Sequence, residues 1–182
     1  SPHSIKSSKI TSYSSFAVAP KTLDPATTYS SDAIMYLAQI VEPPLQYAYL
    51  DRPYKLIPLS AEKYIVHNHA AGSTYILKLR KNSFYAPHPA FVRGHDGKYL
   101  YANLSAKELA QIKTLQDFKS ISSANMQASD FVYAIKRLAD PRLHCPIYGI
   151  LSKRIIGFSQ LHASLLKYEK ENNIKPQDFV DL

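Results

Sequence analysis

The stretch Tyr64-Ile65-Val66-His67-Asn68-His69-Ala70-Ala71-Gly72-Ser73-Thr74-Tyr75-Ile76-Leu77-Lys78-Leu79 reads as two strands around a turn. Its ends, Tyr64–His67 and Thr74–Leu79, are rich in β-branched and aromatic residues. In the second, Tyr75, Leu77 and Leu79 alternate against Thr74, Ile76 and Lys78. Ala70-Ala71-Gly72 supplies the turn. A hairpin of period two, set among segments of helical period, makes this an α+β chain, and a mixed sheet with flanking helices is expected.

On the N-terminal side, Ile34, Leu37, Ala38 and Val41 recur at helical spacing until Pro43-Pro44, which predicts a helix of about ten residues. Residues 51–62 hold Pro53 and Pro58 and read as an extended connector at a domain boundary. Residues 1–15 form a Ser-rich tail, and Phe16 and Val18 a short strand stopped by Pro20. Beyond the hairpin, Asn82 to Tyr101 reads as a long loop with Pro87, Pro89, Gly94, Gly97 and five aromatic residues. Ser105-Ala106-Lys107-Glu108 has capping-box spacing, so a short helix should start at Ser105. Phe131, Ile135 and Leu138 share one face of a helix predicted over Ala128 to Ala139 and stopped by Asp140-Pro141. Leu161, Leu165 and Tyr168 mark another, from about Ser159 to Asn172. The chain therefore divides into a tail and first strand over 1–20, a segment over 21–60, and an α+β part over 61–182.

With 182 residues, 46% of them hydrophobic, the chain can bury a core. Its net charge of +8 is uneven: residues 1–60 contribute +1 and residues 61–182 contribute +7. Cys145 is the one cysteine, so no internal disulfide forms and the redox compartment stays open. No apolar run approaches the roughly 20 residues that span a bilayer.

Little in the pattern points to chemistry. His144 precedes Cys145, but adjacency in sequence is not the geometry of a nucleophile and its base, and a lone cysteine packs as a small hydrophobe. His67 and His69 alternate onto one strand face, yet two ligands do not make a metal site. Glu42, Asp96, Asp130 and Asp140 are accounted for as turn, cap or surface groups rather than an acid–base pair. Neither a phosphate loop nor a dinucleotide fingerprint occurs among the five glycines. The chain is expected not to be an enzyme and to need no cofactor or metal. Nucleic-acid binding is the competing class, because Lys78, Arg80 and Lys81 cluster and 14 Tyr and 7 Phe could stack on bases. Aromatic and basic residues are not interleaved in a known module pattern, so no nucleic acid is expected as the partner.

A series of segments carries a resemblance. It runs through Thr22-Leu23-Asp24-Pro25-Ala26, Gln39-Ile40-Val41-Glu42-Pro43-Pro44-Leu45-Gln46-Tyr47, Arg52-Pro53-Tyr54, and Thr74 to Lys81. It continues through Tyr85 to Phe91, the run from Ala128-Ser129-Asp130-Phe131 to Asp140-Pro141, Pro146-Ile147-Tyr148-Gly149 and Ile155-Ile156-Gly157. In order and spacing, roughly residues 20 to 160 resemble the start of the family 5 solute-binding proteins, the peptide-binding components of ABC importers. The resemblance implies the first part of a two-lobed periplasmic-binding-protein (type II) architecture, with 21–60 opening lobe I and 61–182 forming a smaller domain attached to it. It implies a periplasmic or cell-surface location and three partners: a peptide or other small solute, a membrane permease, and the remainder of the same protein, since similar proteins are several times longer. Tyr29, Ser30, Glu42 and Pro43 are the positions expected nearest the ligand cleft. One departure is local: Gln127 stands where the family has a Thr N-cap, which implies a weaker start to the helix at Ala128.

Overall fold

The computed structural model describes residues 13, 15 and 18–175. The expected tail and the strand residue Phe16 fall largely outside them, and Val18 lies in a bend. The described chain makes two compact units, one from residues up to Val41 with those from Leu138 onward, the other from Glu42–Arg137.

In the first unit, helix α1 spans Ser31–Ile40, the ten residues expected. Ser30 caps it, its Oγ accepting from the Ala33 N–H at 3.3 Å, and Ala33 and Leu37, one turn apart on one face, are buried.

In the second unit, β1 (Leu45–Tyr47) pairs antiparallel with β2 (Leu56–Pro58), Leu45 opposite Pro58. The stretch expected as a connector thus carries a strand. Pro58 is tolerated because it closes an edge strand, where its missing N–H removes little. The hairpin forms as expected but with longer arms, β3 (Ala61–His69) and β4 (Gly72–Leu79), in register from Lys63↔Lys78 to His69↔Gly72, with a bulge at Glu62 before the last pair, Ala61↔Leu79. Gly72 adopts φ 141, an angle side chains rarely take, as the chain leaves the Ala70-Ala71 turn. Among the described residues two antiparallel two-stranded sheets stand where one mixed sheet is expected. The physical reason lies in the links: short loops join neighbours antiparallel, and a parallel pair would need a long crossover.

The capping box is present: the Ser105 N–H donates to Glu108 Oε2 at 2.8 Å and the Glu108 N–H to Ser105 Oγ at 3.3 Å, starting the short helix α2 (Ala106–Leu109). Helix α3 spans Ala128–Arg137. At its start the Asp130 carboxylate accepts from the Gln127 N–H at 2.8 Å and from the Tyr85 hydroxyl at 2.9 Å. Through Tyr85 the long loop is tied down: its N–H donates to the Ala124 carbonyl at 2.9 Å, and its own carbonyl accepts from Ser123 Oγ at 2.6 Å. Burial, then the hydrogen bond and charge of Asp130, push the Tyr85 hydroxyl up to about 12. Asp130→Ala should therefore lower the Tyr85 titration midpoint toward the usual tyrosine range, read by NMR of isotope-labelled tyrosine. It should also cost about 1 kcal/mol of stability through the lost cap.

From Leu138 the chain returns to the first unit through a 3-10 turn at Pro141–Leu143, then α4 (Tyr148–Leu151) and α5 (Phe158–Asn172). Asn173, left-handed at φ 52, ends α5. Phe158 is buried and lies 5.8 Å from the Tyr148 ring, centroid to centroid. Arg142 is clamped between two carboxylates: its Nε and Nη2 reach Asp140 Oδ1 and Oδ2 at 3.0 and 2.6 Å, and Nε lies 3.3 Å from Glu169 Oε1. All three side chains are largely buried. This clamp fastens α5 to the turn that precedes α4.

Candidate functional site

The four expected site residues fall in both units. Tyr29 and Ser30 enter α1 in the first; Glu42 and Pro43 open the second. Tyr29 is 68% exposed and so does not serve the core. The Ser30 hydroxyl is engaged as a helix cap. Glu42 is exposed, and Val41 rather than Glu42 closes α1. Pro43 exposes its ring while its carbonyl accepts from the N–H and Oγ of Ser60 at 3.3 and 3.0 Å. The Pro44 carbonyl accepts from Leu59 N–H at 2.9 Å and Ala61 N–H at 3.1 Å. The backbone after Glu42 is thereby held extended into β1, whose far edge pairs with no strand among the described residues.

A second feature of the same unit was not legible in sequence. The end of β1 and the loop that follows it turn Tyr47, Tyr49 and Tyr54 outward, at 67%, 89% and 75% exposure. Tyr47 and Tyr54 meet edge to face at 5.8 Å, and the Arg52 guanidinium lies 5.2 Å from the Tyr54 ring centre. Arg52, Tyr54, Lys55 and Tyr64 line an open hollow of about 580 Å³. Proline and aromatic content alone did not say whether these rings pack or project.

The remaining candidates resolve locally. His67 and His69 share the hairpin face that sequence assigns them, and a ring nitrogen of His69 lies 3.3 Å from Thr74 Oγ1. Among the described residues no three His, Cys, Asp or Glu side chains cluster as metal ligands would. Cys145 is buried and lines a cavity of about 290 Å³ with His144, Tyr148 and His162. His162 Nδ1 lies 2.9 Å from the Ala139 carbonyl, which can accept only, so this nitrogen carries the proton. No hydrogen bond joins the thiol to either histidine among the described residues. Asp96, Asp130 and Asp140 each accept from a backbone N–H nearby in sequence, as turn and cap groups do.

No helix of the described residues is long and apolar enough to cross a membrane. No family model, no curated protein and no solved structure matches the chain.

Proposed function

We propose that this chain is part of the substrate-binding component of an ABC importer, which captures peptide-like solutes outside the membrane and delivers them to a permease. The observation that carries the reading is the extended edge at Glu42: among the described residues β1 has an open side, beside an exposed carboxylate. An unpaired strand edge holds a peptide by its main chain whatever its side chains, and Glu42 would meet an N-terminal ammonium. The order of the resembling segments points the same way.

The hairpin supports incompleteness of the fold. Val66, Tyr75 and Leu77 are 39%, 67% and 42% exposed on one face, and Ile65 and Ile76 are 40% and 46% exposed on the other. Two strands alone are at best marginal in water. On this reading the remainder of the same protein covers them and supplies the second lobe of a two-lobed architecture.

Thermal unfolding of the full-length protein that contains this chain, with and without a library of short peptides, tests the proposal. A bound peptide at 100 times its dissociation constant should add about 2.7 kcal/mol. Absence of any shift at saturating peptide would overturn it. A second reading, a single-stranded nucleic-acid surface, draws on the outward Tyr47, Tyr49 and Tyr54 with Arg52 and Lys55, since rings that stack and cations that meet phosphate are what such surfaces use. Salt-sensitive binding of oligonucleotides, lost in Tyr54→Ala, would favour it.

A further inference from the structure

Between Pro141 and Tyr168 the sequence holds Arg142, Lys153, Arg154 and Lys167 and no acidic residue. Arg142 is spent on Asp140 and Glu169, and Lys167 pairs with Glu171 at 3.7 Å. Lys153 and Arg154 pair with no acidic group among the described residues, and both are exposed in the turn from α4 to α5. That turn is ordered: Ser152 N–H donates to the Tyr148 carbonyl at 2.9 Å, Ile155 N–H to Leu151 at 2.8 Å, and Phe158 N–H to Ile155 at 3.2 Å.

The ordered turn holds Ile156 88% exposed, and Ile150, in α4 just before it, is 61% exposed, while Phe158, two residues beyond Ile156, is 3% exposed. The contrast matters because an aliphatic side chain fixed in water gains nothing within its own fold. Glu169 and Glu171 sit toward the opposite end of α5, on the order of 18 Å away at the helical rise, so they do little to neutralise Lys153 and Arg154. Aliphatic tips flanked by exposed cations fit one kind of surface well. The apolar groups enter the boundary between headgroups and acyl chains, and the lysine and arginine heads stay at the phosphate level on their flexible stems. The geometry points to the α4–α5 turn, with Ile150, Lys153, Arg154 and Ile156, as a docking tip for an anionic phospholipid surface. A nucleic acid would use the two cations but leave the isoleucines in water. Docking through this tip is independent of peptide capture and stands or falls separately.

Vesicle co-sedimentation of the full-length protein tests it, comparing phosphatidylcholine alone with phosphatidylcholine containing phosphatidylglycerol. Binding is expected with the anionic vesicles, weakening as salt rises. Lys153→Ala with Arg154→Ala should lower the partition coefficient about 30-fold, and Ile156→Ser about tenfold. Both changes are on the surface, so an unchanged melting temperature shows that the fold is intact. Equal binding to both vesicle types, or binding undiminished by the double substitution, overturns the assignment. So does protection from a soluble thiol reagent, without vesicles, of an Ile156→Cys probe in a Cys145→Ser background: the tip would then be covered by the rest of the chain or by a second copy.

Discussion

Arg142→Leu is expected to destabilise the fold by about 3–5 kcal/mol at neutral pH, the cost of removing one partner from a buried ionic cluster. Leucine fills much of the space but leaves the Asp140 and Glu169 carboxylates facing each other without their shared cation. Denaturant unfolding reads the loss, and its pH dependence identifies the cause. Burial pushes the Asp140 carboxyl up, but the hydrogen bonds and charge of Arg142 outweigh it and hold Asp140 below its ordinary 3.8. Its contribution to stability is therefore present above that value and lost as pH falls through the lower, folded one. Glu169 has the opposite sign. Burial first, then the Asp140 charge, raise it above its ordinary 4.5, so its contribution is full below that value and lost as pH rises through the folded one. In Arg142→Leu both carboxyls should rise, because the cation that favoured their charged forms is gone. The deficit against the parent should thus shrink as pH falls into the carboxylate range. A deficit that does not change with pH would mean that lost packing, not charge, is responsible.

Phe158→Ala should cost about 3–5 kcal/mol, the usual range for emptying a buried aromatic site. Phe158 is the bulkiest of the buried apolar side chains among the described residues. It opens α5 and meets Tyr148 of α4, so its loss leaves a void where the two helices join. The better helix propensity of alanine returns only about 0.5 kcal/mol. Ile156→Ala is the internal control: at 88% exposure it should shift stability by less than about 0.5 kcal/mol. Chemical denaturation of both variants, followed at the His162 ring resonances, reads the difference in the unit that holds α5. Equal effects would mean that Ile156 is packed.

Several elements could be read directly. The spacing of Ile34, Leu37 and Val41 with the stop at Pro43-Pro44 gave α1, the alternation from Tyr75 to Leu79 gave the hairpin, and Ser105 with Glu108 gave a helix start. These succeed because hydrophobic period and capping are local properties, settled within a few residues. The strand at Leu56–Pro58 was missed because proline argues against a ladder and its pairing with Leu45–Tyr47 is invisible one segment at a time. The clamp of Asp140, Arg142 and Glu169 was missed for a related reason. Asp140 and Arg142 are close in sequence, but Glu169 comes from the last helix, and no short-range pattern announces it. Of the candidate site, the exposure of Tyr29 and Glu42 follows from which segments come to cover them, and the duty of Ser30 as a cap depends on where α1 begins.

By itself, then, the sequence determined helices α1, α2, α3 and α5, the hairpin and the surplus of positive charge, since each follows from residue type and short spacing, whereas the single turn of α4 carries no such signal. Tertiary structure alone decided which side chains face water. Tyr54, Tyr75 and Ile156 have the composition of core residues, yet all three stand exposed, because burial depends on which distant segments come to cover them.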